Sequence, residues 1–440
     1  MTARSPATTF ALATLIAGAA CSPSTPPDRP TATRPEPQAP AATISPVPSP
    51  VAVATGAPSV LFARADLTRG AATGVARADG ALRLGTGMAN GTYEDPYGYG
   101  AIAFESGTWT SEWTSVGFAF DEVIASWSVD TPPGSWIRVE LQASGAGRTT
   151  KWYTMAIWAS GDADVHRTSV ARQDDVDGGV AFDTFVRAKP AVPLDAYRFQ
   201  LTLYRKSGSA ATPTVRMVAA MSSASLAYEI PSVFGGAALD RDVPRLSQEI
   251  HAGEFPQYDG GGEAWCSPAS TAMVLAYWHA GPSPDELAAF PGPGYVDAQV
   301  DHAARYTYDW GYQGAGNWPD NTAYAARYGL DAFVTRLRSL GEAQRFIGAG
   351  IPLVASVNGA LPGFLFEKTN GHLLVIRGFT AGGDVIANDP AARSNAEVRK
   401  VYRRGDFEKV WLGGSAGVVY VIHPLSVPLP ANVAGLPANW

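Results

Sequence analysis

From about residue 58 to residue 230 the apolar positions fall in short alternating runs separated by turn signals. The runs SEWTSVGFAF (111–120), EVIASWSV (122–129), SWIRVELQAS (135–144), TKWYTMAIWAS (150–160), YRFQLTLYR (197–205) and TVRMVAAMSS (214–223) have the length of strands, and nothing between them has helical spacing. Strands at this spacing predict an antiparallel β-sandwich of jelly-roll kind. By this pattern Trp109, Trp113, Trp127, Trp152 and Trp158 belong mostly to the core, and any that reached the surface would offer a flat face to a sugar or a peptide. The acidic turn Asp174, Asp175, Asp177, Gly178 lacks the further ligand positions of a calcium loop and reads as a solvated turn.

A linker to about residue 241 separates this unit from a second one, over 242–424, in which the period changes. Pro268 tolerates only a first helical turn, and Ala269, Ala272, Met273, Ala276 and Tyr277 then recur on one helical face. Ser283-Pro284-Asp285-Glu286 is a capping box opening a short helix, and Ser339 with Glu342 makes a second one for a helix ending at Gly350. Helical spacing also covers 296–306 and 320–328, with Gly329 as the stop. The apolar runs IPLVASV (351–357), HLLVIRGF (372–379), DVIAND (384–389) and GVVYVI (417–422) follow as strands. Helices first and an antiparallel sheet afterwards describe an α+β domain. Residues 425–440 read as a C-terminal tail.

The start of the chain adds an address. MTARSPATTFALATLIAGAAC places one Arg before an apolar run that closes on small residues, too short to span a bilayer as a stable helix, so residues 1–21 read as an export signal. Cys21 behind Gly18, Ala19 and Ala20 resembles the lipidated cysteine of a bacterial lipoprotein signal, with Gly18 where a larger aliphatic is usual. Residues 22–57 are rich in Pro, Ala, Ser and Thr, without apolar periodicity, and predict a disordered tether. The expected location is therefore outside the cytoplasm, as a cell-surface lipoprotein or a secreted protein. The membrane would be met only through that anchor. A hydrophobic fraction of 46% suits packed cores, and a net charge of −7 without a basic run argues against nucleic acid as a partner.

The chemistry gathers at FPQYDGGGEAWCSPASTAMVLAYW (255–278). Cys266 is the one cysteine left once the leader is removed, so no intramolecular disulfide then accounts for it. Three glycines, 260 to 262, permit a tight turn, and the cysteine opens a helix, where the dipole and unpaired N–H groups favour thiolate. A thiolate needs a base, and the base an orienter. His372 and Asp389 lie on consecutive strands joined around Ala381, Gly382 and Gly383. If Phe379 pairs with Asp384, Leu374 faces Asp389, and His372 is one diagonal step of about 7–8 Å away on the same face. A turn on Gly382-Gly383 alone would shift the pairing by two residues and separate the two side chains further. His166 lies in the β unit, His279 ends the cysteine's helix, and His251, His302 and His423 have no carboxylate on a clearly adjoining strand. With no His-Glu-x-x-His helix and no paired cysteine motif, neither a metal nor any other cofactor is expected.

Trp265-Cys266-Ser267-Pro268 opening a helix, Gly371-His372 before an apolar strand, and Asn388-Asp389-Pro390, in this order, resemble the C39-like branch of papain-like cysteine peptidases over about 242–424. The resemblance implies a papain-like α+β domain in which Cys266 is the nucleophile, His372 the general base and then acid, and Asp389 the orienter of the imidazole. It also implies an upstream glutamine amide for the oxyanion. Gln248, which follows Val243-Pro244, and the nearer Gln257 both remain open for that role. Ser267 stands where many relatives have glycine. The fold class expected is thus multidomain, with a jelly-roll-like antiparallel β-sandwich before a papain-like α+β peptidase domain. The function expected is an exported thiol hydrolase that cleaves amide bonds of a peptide or protein substrate through an acyl-enzyme. A peptidoglycan amide hydrolase acting on cell-wall peptide with the same trio, or an inactive surface-binding protein, are the alternatives.

Overall fold

The computed structural model describes residues 59–224, 228 and 232–440. The expected leader with Cys21 and the tether lie outside these residues.

Residues 59–224 form two antiparallel sheets. One has the strand order Gly178–Ala181, Thr184–Arg187, Glu122–Asp130, Thr214–Ala224, Ala81–Leu84 and Val75–Ala78, with Ser59–Arg64 also pairing to Thr214–Ala224. The other is built on Ser135–Gly145, Leu194–Lys206 and Gly100–Thr110, flanked by Tyr153–Trp158, Thr114–Phe120, Ala89–Asp95 and two short edge strands. All six runs singled out by alternation meet strands, and the strands before Thr110 come in addition. Trp109, Trp127 and Trp158 are core, while Trp113 is exposed and holds the Arg198 guanidinium 4.6 Å from its ring, with Trp152 at 5.2 Å on that same cation. In the acidic turn, Asp175 accepts from Tyr153 and two backbone N–H groups, and Asp177 is paired with Arg148.

The second unit carries one antiparallel sheet with the order Asp331–Arg336, Val418–His423, Leu353–Ala360, Lys368–Phe379, Val385–Asn388 and Arg399–Tyr402. Leu239–Asp240 pairs with the end of Lys368–Phe379, so the connecting segment is part of the sheet. Six helices accompany it: α1 (Cys266–Tyr277), α2 (Pro284–Ala289), α3 (Gln299–Thr307), α4 (Trp318–Ala326), α5 (Leu340–Gly348) and α6 (Arg404–Glu408). Helix α1 is buried on every side from Cys266 to Leu275, not along one stripe. It lies between the sheet and α3 and α4, so no face of it meets water before Ala276. The capping box of α2 is complete. That of α5 is half made: Ser339 accepts from the Glu342 N–H, but Glu342 Oε2 accepts from the Arg338 N–H and from Asn439. A stronger set of donors thereby displaces the local one.

The two units share a core. Phe62 stacks on Phe333 at 4.3 Å, Val334 N–H donates to Ser126 Oγ at 2.9 Å, and buried Arg336 pairs with Glu122. The fully buried Arg167 donates to the carbonyls of Arg305 and Tyr308. The last residues are docked rather than a free tail. Phe62 N–H donates to Ala438 O, Asn439 is buried among Arg336, Arg338 and Glu342, and Trp440 packs on Phe346 at 4.9 Å.

Candidate active site

The loop before the cysteine is conformationally demanding. Gly260, Gly261 and Gly262 have φ of 78°, 67° and 55°, and the non-glycine residues Phe255 and Asp259 also take positive φ. A Cβ on Gly261 would stand 2.0 Å from the carbonyl oxygen of His251, so only glycine fits there. Gly253 N–H donates to Gly260 O at 2.7 Å and closes the loop on itself. Trp265, with its indole N–H on Tyr258 O at 2.7 Å, precedes α1, and no side chain caps the helix N-terminus.

Cys266 is the first residue of α1, as the sequence predicts, and is fully buried together with its surroundings. Leu373 N–H donates to Cys266 Sγ at 3.3 Å, and one helical turn on, Ser270 Oγ donates to Leu373 O at 3.1 Å. Two polar groups of one residue thereby fix α1 against the strand that carries His372. Ser267 exchanges a hydrogen bond of 2.9 Å with the Tyr420 hydroxyl inside the core.

His372 Nε2 lies 2.8 Å from Asp389 Oδ1, which leaves Nδ1 as the ring nitrogen for proton exchange elsewhere. The strand pairing explains this contact. Phe379 pairs with Val385 rather than Asp384, but a bulge at Arg377 restores the register, so that Val375 faces Asn388. Asp389 is held from three further directions. Its N–H donates to Val398 O at 2.8 Å, Ala391 N–H donates to Oδ1 at 2.9 Å, and the Tyr402 hydroxyl donates to Oδ2 at 2.5 Å. Burial first, and then the carboxylate, push the Tyr402 phenol far up, so it stays a donor. No sequence pattern singles out Tyr402, which reaches the site through the pairing of Arg399–Tyr402 with Val385–Asn388. Phe364 packs its ring 4.8 Å from the imidazole.

Of the two glutamines, Gln248 comes to this end of the sheet. Its N–H donates to Pro390 O at 2.9 Å, because Asn388 Nδ2 grips the carbonyls of Val243 and Pro244 and Asn395 Oδ1 accepts from Ser247 N–H. Gln248 is buried, and one amide hydrogen donates to Glu249 Oε1 at 3.0 Å, leaving the other. Burial raises the Glu249 carboxyl above its ordinary range. Gln257 is exposed, in the short turn Pro256–Tyr258.

Carboxylates also face other histidines, contrary to the expectation for His423, whose carboxylate lies on the adjoining strand. Glu254 is 2.8 Å from His251, Asp331 is 3.4 Å from His423, and Asp95 is 2.9 Å from His166 in the β unit. His302 instead meets the Tyr324 hydroxyl at 2.9 Å, and burial lowers its pKa to about 3. A carboxylate partner therefore does not set His372 apart. Its place beside the residue that contacts Cys266 Sγ does.

The family models divide the chain at the same point as the sheets. Residues 61–223 match the peptidase C39 N-terminal domain, and residues 241–416 match the peptidase C39-like family. No curated protein matches. Among solved structures, a Bacillus anthracis protein described as a C39-like peptidase is 17% identical, over 42% of this chain and 98% of its own, with a TM-score of 0.27. The active wild-type interpain A cysteine protease of Prevotella intermedia is 18% identical, over 41% of this chain and 93% of its own, with a TM-score of 0.24. With two models of the peptidase C39 family matched in succession, the chain carries a C39-like peptidase domain over 241–416 behind that family's N-terminal domain over 61–223.

Proposed function

We propose that the chain is an exported thiol hydrolase that cleaves peptide bonds through an acyl-enzyme. Cys266 Sγ, reduced and deprotonated, attacks the carbonyl carbon while His372 Nδ1 holds the thiol proton. The tetrahedral oxyanion is met by the Cys266 N–H and the remaining amide hydrogen of Gln248. His372 then protonates the leaving amine, and water, deprotonated by the same imidazole, releases the acid. Asp389 keeps the ring turned and stabilises the imidazolium. The observation that carries this reading is the linked set at one strand end: Leu373 N–H on Cys266 Sγ at 3.3 Å, with the neighbouring His372 2.8 Å from Asp389. Substrates are peptides or proteins, cell-wall peptide included. The β unit is a jelly-roll-like sandwich before a papain-like α+β domain, and a lipid on Cys21 or release after cleavage sets the final location.

Alkylation tests the proposal directly. In the reduced chain, iodoacetamide at pH 6 labels Cys266 much faster than it labels a free cysteine in a peptide, and His372→Ala removes the difference. Labelling at the free-thiol rate refutes the hydrolase reading. Cys266→Ala and His372→Ala each lower kcat/KM on a peptide library by at least about 10³-fold, with folding unchanged by circular dichroism.

A further inference from the structure

The loop between Gln248 and Cys266 carries a second cluster of ionisable groups that the proposed reaction does not use. His251, Glu254 and Asp301 present one ligand atom each, all within 4.8 Å of one another. His251 Nδ1 is 2.8 Å from Glu254 Oε2 and 3.3 Å from Asp301 Oδ1, so one ring nitrogen faces two carboxylates. Asp301, on α3, and His251 are essentially inaccessible, and Glu254 is mostly covered. Among the described residues the only group that approaches an Asp301 oxygen as a donor is His251 Nδ1, Oδ2 has no hydrogen-bond partner, and His251 Nε2 has none.

This arrangement is unfavourable as it stands. A buried carboxylate with a single shared donor costs several kcal/mol in a real protein, and a second carboxylate beside it raises the cost. Protonation of the imidazole offers one N–H at Nδ1 to two acceptors and leaves a net negative charge inside. A dication between the three groups neutralises both carboxylates and uses the Nδ1 lone pair. Tetrahedral Zn²⁺ with bonds near 2.1 Å separates its ligands by roughly 3.4 Å, which the 3.3 Å between His251 and Asp301 matches and the 2.8 Å between His251 and Glu254 reaches by a small turn of the Glu254 side chain, and it accepts His, Asp and Glu together with a water. Ca²⁺ prefers six to eight oxygens and suits a site with an imidazole poorly.

We propose that His251, Glu254 and Asp301 bind a structural divalent transition-metal ion, with Zn²⁺ the best fit. The ion ties the loop to α3. His251 stands three residues after Gln248, and its ring lies 5.9 Å from that of Trp265, the neighbour of Cys266. The metal thus braces the segment that sets both the glutamine and the cysteine, without touching substrate.

The test uses the full chain with Cys21→Ser and Cys266→Ala, so that no thiolate competes for the metal, after dialysis against a chelator. Calorimetric titration with Zn²⁺ is expected to give one equivalent bound and an upward shift in melting temperature. Asp301→Asn and Glu254→Gln each weaken that affinity by at least about 100-fold, since a lost direct ligand costs no less than a lost supporting partner. Glu254 is partly exposed, so its variant reports even if Asp301→Asn folds poorly. Absence of binding and of a thermal shift overturns the proposal, as does a shift that survives in both variants. Tighter binding of Ca²⁺ than of Zn²⁺ at these residues overturns the assignment of the ion.

Discussion

Tyr402 shows how much of this site is held by a residue outside the proposed nucleophile, base and orienter. Its hydroxyl is the donor to Asp389 Oδ2, while the imidazole takes Oδ1. Tyr402→Phe leaves a buried carboxylate oxygen without that partner. A hydrogen bond to a charged group is worth about 1.5–3 kcal/mol, and the part felt in the transition state lowers kcat/KM about tenfold. A kcat/KM equal to that of the parent would remove Tyr402 from the site's support. At this scale the trio was legible, because thiol, imidazole and carboxylate each stood in a marked setting. Tyr402 was not, because a tyrosine at a strand end looks like any core tyrosine.

The loop into the cysteine is the element on which the site's geometry turns. Gly261 has φ 67° and ψ −158°, a region essentially closed to residues with a side chain, and His251 O occupies the place a Cβ would take. Gly261→Ala is expected to cost about 1–3 kcal/mol in a denaturant titration and to lower kcat together with stability, since the displaced segment joins Gln248 to Cys266. Ser283, whose capping box lies on the surface and away from the site, makes the contrast: the two features were equally plain in the sequence, but the cap is worth only local helix stability. Local rules also misjudged α1, where periodicity suggested one buried stripe and packing on several sides buried the rest. The strand register shows the same limit. Turn chemistry alone left two pairings open, and the bulge at Arg377, which the turn does not dictate, brought Val375 opposite Asn388.

At the level of the whole molecule the two units are joined through buried polar groups. Asp183 of the β unit accepts from Trp318 N–H at 3.1 Å and from the Thr184 hydroxyl, with Asp309 and Asp320 as nearby like charges and Arg167 close to Asp320. Burial raises Asp183 to about 6, from 3.8. The folded chain therefore holds this proton more tightly than the unfolded chain. The resulting stability is fully present below pH 3.8 and is lost as pH rises through 6. Unfolding free energies from urea titrations between pH 4.5 and 7 should fall by about 2 kcal/mol on this account, and Asp183→Asn should flatten that slope. An unchanged slope in the variant would show that Asp183 is already ionised in the folded chain.

The sequence by itself determined the alternation that makes strands before residue 224 and the order of cysteine, histidine and carboxylate after it. Both follow from local spacing and residue type, which act over a few residues. Only the tertiary structure decided that Gln248 rather than Gln257 lies by Pro390, that Tyr402 meets Asp389, and that the last residues lock the two units together. Each of these contacts joins segments far apart in the chain, where the free energy of burial and of paired polar groups, not local preference, selects the partner.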